Sequence, residues 1–287
     1  RCSALFKLAE DQSDIFFGHS TWDTYATAAP RIYKNLRMPL RREGQMLSHV
    51  DSFSSSPGFI ASIDDYYVLD GTSALVVIET SNGVYNTSAY EFLAPESVLC
   101  WLRTMAANML STDAKSWTGI FSKYHSGTYN NQWMVLDPAK FSPATLLDSS
   151  DLFWVLEEAP GLIHAEDQTE ALVNDGYWAS YNVAYYNDVR ERIGEMTSYD
   201  SCPRANLFRE MQGNVTDLST MSWIMGWNDY ENDALSLNNP GNAIMARDDL
   251  KGYAAGGIDS KCSSIAAIRG DEDGASAPLL SMARAGP

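Results

Sequence analysis

Two stretches with helical spacing lie back to back in this chain, flanked by groups of short β-rich runs, and that order admits few architectures. Residues 96–110 carry Val98, Leu99, Leu102, Met105, Ala106 and Met109 on one helical stripe. Residues 112–124 read as a second helix capped at Thr112. Upstream, residues 2–8 and 14–18 read as strands around the polar turn Glu10-Asp11-Gln12-Ser13. Residues 21–36 have helical spacing interrupted by Pro30. Runs 59–63, 66–69 and 74–80 read as strands, the first entered through Pro57-Gly58. Downstream, 132–136 and 152–157 return to strand. Residues 189–196, 204–212 and 218–227 read as helices, 238–242 as a turn-rich loop, and 256–268 as a last strand. Strands, helices, strands, then helices and polar loops fit a layered α+β sandwich better than a βαβ alternation.

The core is large enough to stand without staples, since 45% of 287 residues are hydrophobic. Net charge is −17, and no basic cluster offsets it, which argues against nucleic acid and anionic lipid surfaces as partners. An acidic surface repels itself less in an acidic compartment, where carboxylates take up protons. No apolar run approaches the roughly 20 residues of a membrane span. The chain begins with Arg rather than Met, which suggests an upstream segment removed or omitted. Two glycosylation sequons, Asn86-Thr87-Ser88 and Asn214-Val215-Thr216, point towards the secretory route.

Cys2, Cys100, Cys202 and Cys262 are widely and irregularly spaced, with no CxxC and no Cys/His cluster, so no metal site is expected. With Cys2 set aside, one disulfide among the other three plus one buried thiol is the simplest arrangement. The pattern does not choose the pair. Nucleotide-binding patterns are absent, and no cofactor is expected. The nearest approach to a serine elbow is Gly18-His19-Ser20-Thr21-Trp22, where Trp replaces the second Gly.

Cys2 offers different chemistry. Once Arg1 is removed, the α-amine of Cys2 lies beside its own thiol. That amine titrates near ~7.7–8.0 and the thiol near ~8.5, so proton transfer between them is nearly balanced. One residue then supplies both nucleophile and base for attack on an ester or amide carbonyl. Such a site also needs donors for the oxyanion. Three clusters offer polar groups: 126–133, 177–182, and Ser201-Cys202-Pro203-Arg204 at a helix start. The ordinary reading of such clusters is loops satisfying their own backbone, and that of a cysteine near a terminus is an inert thiol.

The segments CSALFK, GHSTW, SIDDYYVLDG, VIETSNG, SGTYNNQWMV, YWASYN, SYDSCPRA, MSWIMGWNDY and GNAIMARDDL stand in an order that resembles the phospholipase B-like (lamina-ancestor-like) proteins, from Cys2 to about Ile268. The chain resembles the larger, C-terminal part of such a precursor. The resemblance implies an N-terminal nucleophile hydrolase, a four-layer αββα sandwich forming a single domain over 1–287, with 270–287 as loop. It implies that precursor cleavage, of the autocatalytic kind, exposes Cys2 as the nucleophile, with its amine as base. His19 and Trp22 match site residues beside it. Ser81, next to Thr80, matches a site hydroxyl. Asn182 matches an oxyanion donor, and Arg204 an arginine near the nucleophile. The implied substrate is a lipid ester or amide, with Phe17, Trp22 and Trp178 as candidate acyl-pocket residues. The implied partner is the N-terminal fragment of the same precursor, and the implied location lysosomal or secreted. The competing expectation is a glycosylated lipid-binding protein with a vestigial site; a third is a serine lipase using Ser20.

Overall fold

The computed structural model describes residues 1–37, 40–43, 45–47, 50–70, 74–269 and 281–286. In chain order the strands and helices are β1 (Cys2–Leu8), β2 (Ile15–Thr24), β3 (Ile32–Arg37), β4 (Leu40–Arg42), β5 (Gln45–Leu47), β6 (Val50–Ser55), β7 (Tyr66–Leu69), β8 (Val76–Ser81), α1 (Cys100–Leu110), α2 (Ala114–Phe121), β9 (Asn131–Leu136), β10 (Phe153–Ala159), β11 (Leu162–Asp167), α3 (Thr169–Asp175), β12 (Tyr177–Ser180), α4 (Asn187–Ile193), α5 (Pro203–Met211), α6 (Leu218–Met225), β13 (Ala255–Ser264), α7 (Ile265–Arg269) and β14 (Met282–Ala285). They form two compact units: residues 1–30, 171–181 and 197–287, and residues 31–170 and 182–196.

The first unit is built on a sheet of order β12-β1-β2-β13-β14, antiparallel throughout. Every residue of β1 is buried, so the strand is covered on both faces and reads as a continuous run rather than an alternation. The β1–β2 register is Cys2↔Thr21, Ala4↔His19, Phe6↔Phe17. Helix α6 lies close on β2 at Gly18, where a Cβ would come within 2.7 Å of Met225 Cγ. Pro203 at the first position of α5 and the Asp217–Thr220 capping box of α6 fix the two helix starts.

The second unit holds a sheet of order β11-β10-β9-β8-β7-β6-β3 with α1 and α2 on one face, and a separate two-stranded pair β4-β5. Its core centres on Trp117 and Phe121, one helical turn apart on α2, packed on Trp133 of β9 with ring centroids 4.8–5.3 Å apart. Arg103 lies over the Phe121 ring and pairs with buried Glu158 at 2.8 Å.

Several expectations need correction. Residues 21–36 are not a helix. β2 runs on to Thr24, a single 3₁₀ turn covers Tyr25–Thr27, and β3 follows. Pairing of β2 with both β1 and β13 outweighs the local pattern. Residues 59–63 form a loop rather than a strand, and Phe59 and Ile60 face solvent. The cap of α2 is Asp113, whose carboxylate accepts from Ser116 N at 2.7 Å, and not Thr112. The run 256–268 is strand β13 followed by the short helix α7. The tail read as loop contains strand β14, for which the edge of β13 supplies the partner. Residues 270–280, with the acidic run at 271–273, lie outside the described residues, as does Gly71 of the Asp70-Gly71 turn.

No disulfide forms among Cys2, Cys100, Cys202 and Cys262, and all four are buried. Cys100 opens α1, Cys202 precedes α5, and Cys262 lies within β13 with Sγ donating to the Leu218 carbonyl at 3.7 Å, so the three stand on different elements. Among the described residues, no helix is long and apolar enough to cross a membrane.

Candidate active site

In the first unit, the sheet register arranges the residues around Cys2. Trp22 N donates to Arg1 O at 2.8 Å and Arg1 N to Trp22 O at 3.3 Å, so Arg1 and Trp22 are a hydrogen-bonded pair. The next pair, Cys2 and Thr21, is then of the non-hydrogen-bonded kind, where side chains approach most closely. The Cys2 N–H therefore points to the side of β1 away from β2. This is the nitrogen that would become the α-amine.

Side chains alternate across the sheet, and direct cross-strand partners share a face. Cys2, Thr21 and Asp259 form one row, and Ala4, His19 and Lys261 the next. All are buried. Within this square Lys261 Nζ donates to Thr21 Oγ1 at 2.7 Å and to Asp259 Oδ1 at 2.7 Å, while Thr21 Oγ1 lies 3.4 Å from His19 Nδ1. His19 is thus a diagonal neighbour of Cys2, within reach for a long side chain.

Trp22 and Arg204 belong to the opposite face, with Ser3. Trp22 Nε1 and Ser3 Oγ both donate to the Ile244 carbonyl, at 3.2 and 2.8 Å. The Arg204 guanidinium lies 4.4 Å from the Trp22 ring centroid. Its Nη1 donates to Cys2 O at 2.5 Å and to Ser3 Oγ at 3.1 Å, and its Nη2 donates to Tyr181 O. Arg204 therefore grips the backbone of Cys2 rather than its thiol. Burial, the largest influence, lowers the Arg204 pKa to about 10, so the group remains a cation at neutral pH. Cys100 and Cys202 are pushed up by burial, and Cys262 is pushed up to about 12. These three are protonated, packed thiols.

Ser20 does not stand on an elbow. It lies in mid-strand in β2, buried, with Oγ donating to Met225 O. A serine nucleophile of that type needs a strand-to-helix turn that exposes its hydroxyl.

Ser81 and Asn182 belong to the second unit, where they meet. Asn182 Nδ2 donates to Ser81 O at 2.7 Å, and Asn182 N lies 3.4 Å from Thr80 Oγ1. Asn182 has φ of 63°, a left-handed conformation that asparagine tolerates better than most residues. Of the candidate acyl-pocket residues, Phe17 shares the Cys2 face and packs on Phe6 with centroids 6.1 Å apart. Trp178 pairs with Phe6, and Trp22 lies on the other face. Sequence reasoning missed Thr21, Asp259 and Lys261. An available signal was the pair Asp259 and Lys261, two apart in a run otherwise fit for a buried strand.

The whole chain aligns with the solved structure of a Caenorhabditis elegans N-acylethanolamine-hydrolyzing acid amidase (NAAA) ortholog, covering 100% of both chains with a TM-score of 0.57 at 10% sequence identity. That likeness shows the fold class: the α+β, αββα type of the N-terminal nucleophile hydrolases, as expected from the sequence. The Phospholipase B family model matches residues 1–281, and this chain belongs to that family. It is 39% identical over 286 residues to Phospholipase B-like protein G of Dictyostelium discoideum, covering 92% of this chain and 47% of that protein. To Phospholipase B-like 1 of Bos taurus it is 40% identical over 276 residues, covering 92% and 50%. To Phospholipase B-like 1 of Homo sapiens it is 41% identical over 258 residues, covering 87% and 46%. The chain spans about half the length of the curated relatives it matches.

Proposed function

We propose that this chain carries the acyl-hydrolase site of a phospholipase B-like protein and cleaves a lipid ester or amide through Cys2. The observation that carries the reading is the setting of Cys2: the first residue of a central strand, its carbonyl gripped by half-buried Arg204, and its nitrogen turned away from β2. While Arg1 is attached, that nitrogen is an amide and no base. Cleavage of the Arg1–Cys2 bond converts it to an amine and turns on the chemistry.

The α-amine takes the thiol proton as Sγ attacks the acyl carbonyl. The resulting oxyanion is met by hydrogen-bond donors, the role proposed for Asn182 with the hydroxyl of Ser81 or Thr80 close by. The ammonium returns the proton to the leaving alcohol or amine, and a thioester remains. Water then gives a proton to the amine and attacks the thioester, releasing the fatty acid and regenerating the thiol. His19, on the same face, serves the reacting groups, and Arg204 with Trp22 holds the strand end in place. On this reading both units form one catalytic domain over 1–287. The remaining part of the precursor is a partner, and the exposed Asn86 and Asn214 carry glycans in a lysosomal or secreted protein.

Cleavage is tested by intact mass after incubation at mildly acidic pH, and catalysis by acyl release from phospholipid and acyl-amide substrates. Cys2→Ala is expected to abolish release with the fold intact, and Ser20→Ala to retain it. Undiminished turnover by Cys2→Ala would remove Cys2 from the mechanism. A chain that keeps the Arg1–Cys2 bond and binds lipid without turnover would instead be the lipid-binding protein.

A further inference from the structure

The square of side chains beside Cys2 has a polarity that the reading above does not use. Lys261 Nζ has only hydrogens to give, and it gives one to Thr21 Oγ1 at 2.7 Å. A hydroxyl that accepts from a cation is polarised to donate onward. Nδ1 of His19 lies 3.4 Å from that hydroxyl. Lys261 is also the direct cross-strand partner of His19, so its positive charge lies on the same face of the sheet as the ring. A lone pair at Nδ1 is attracted by that charge, and an N–H dipole at Nδ1 is repelled. Asp259, two residues back on the same face, fixes the ammonium from its other side at 2.7 Å. The ion pair is nearly dry, with the Lys261 side chain 1% exposed and that of Asp259 12%.

We propose that Asp259, Lys261 and Thr21 are positioning residues that hold His19 in its neutral Nε2–H tautomer, the Thr21 hydroxyl donating to Nδ1. His19 then meets the reacting atoms as a hydrogen-bond donor, suited to a developing thiolate or oxyanion, and the α-amine of Cys2 is the base. This role in the reaction rests on the acyl-hydrolase reading, whereas the tautomer itself does not. With Nδ1 accepting from the Thr21 hydroxyl and Nε2 carrying its hydrogen, the ring is arranged to donate rather than to take a proton, so His19 stays out of the general-base role often taken by histidine.

The test is the ring nitrogen that carries the hydrogen, read from long-range ¹H–¹⁵N correlation spectra of the full ¹⁵N-labelled chain. His19→Gln identifies the resonances among the four histidines. The expected result is the Nε2–H tautomer in the parent chain and in Thr21→Ser. A loss of tautomer preference of about tenfold or more is expected in Thr21→Val, which keeps the β-branched shape. The same loss is expected when Lys261→Met and Asp259→Asn are combined so that no unpaired charge is buried. An Nδ1–H tautomer in the parent, or a parent-like tautomer in both Thr21→Val and the double variant, would overturn the proposal. The spectra need no substrate. A failed acyl-release assay therefore leaves this result standing, and a wrong tautomer leaves Cys2 untouched. Where both hold, Thr21→Val lowers kcat with KM unchanged.

Discussion

Arg204 Nη1 lies 2.5 Å from the carbonyl oxygen of Cys2, a contact spanning 202 positions of sequence. The same guanidinium serves Ser3 Oγ and Tyr181 O, so one cation ties the start of β1 to the segment following β12. Lysine has the charge but not the planar fork. Arg204→Lys is expected to keep part of the stability and lose the simultaneous grip. Arg204→Ala leaves buried acceptors unpaired and is expected to cost about 2–4 kcal/mol, from ~1–3 kcal/mol per orphaned group with partial rehydration. Urea unfolding measures the loss. A change within about 0.5 kcal/mol for Arg204→Ala would mean that water replaces the guanidinium without penalty.

None of the four buried cysteines forms a disulfide, and burial raises the pKa of three of them, Cys100, Cys202 and Cys262. In denaturant without reductant, iodoacetamide is expected to add four labels, each seen by intact mass. Under native conditions Cys100, Cys202 and Cys262 are expected to resist, since the reactive thiolate is scarce and shielded. Two labels in denaturant, rising to four after reduction, would demonstrate a disulfide and refute the free-thiol arrangement.

Stability should fall as pH rises from about 4.5 to 7, with Glu157 as one identifiable source. Its carboxyl is fully buried on β10, and burial raises its pKa to about 7 against the hydrogen bonds from Tyr185 N, Tyr186 N and Gln132. An unfolded glutamate releases its proton near ~4.3. Between the two values the folded chain binds more protons, so raising pH favours the unfolded state. The full effect is on the order of 4 kcal/mol, at about 1.4 kcal/mol per pH unit of separation. Asp65 and Glu79, raised chiefly by burial and then by neighbouring carboxyls, act in the same direction. Urea midpoints at pH 5 and pH 7.5 should differ in favour of pH 5, and Glu157→Gln should flatten the difference by its share. An unchanged slope in that variant would mean that Glu157 is already ionised in the folded chain.

The sequence by itself determined the local pieces whose causes are local. β1 spans Cys2–Leu8 as read, because an apolar run bounded by a polar turn has one extended solution. The starts of α5 and α6 follow from proline at a first helical position and from a capping box. The family resemblance was legible too, since it rests on ordered motifs rather than on coordinates. Tertiary structure decided what depends on partners far along the chain. Residues 21–24 became strand because β1 and β13 flank them, against their helical spacing. The first four residues of the 177–182 cluster became β12 because the edge of β1 was there to pair with. Register put Lys261 beside His19 across 242 positions, and a slip of one residue would have turned it to the other face. A sequence lists donors and acceptors. Only the ladder of hydrogen bonds decides which share a face, and so which can exchange a proton.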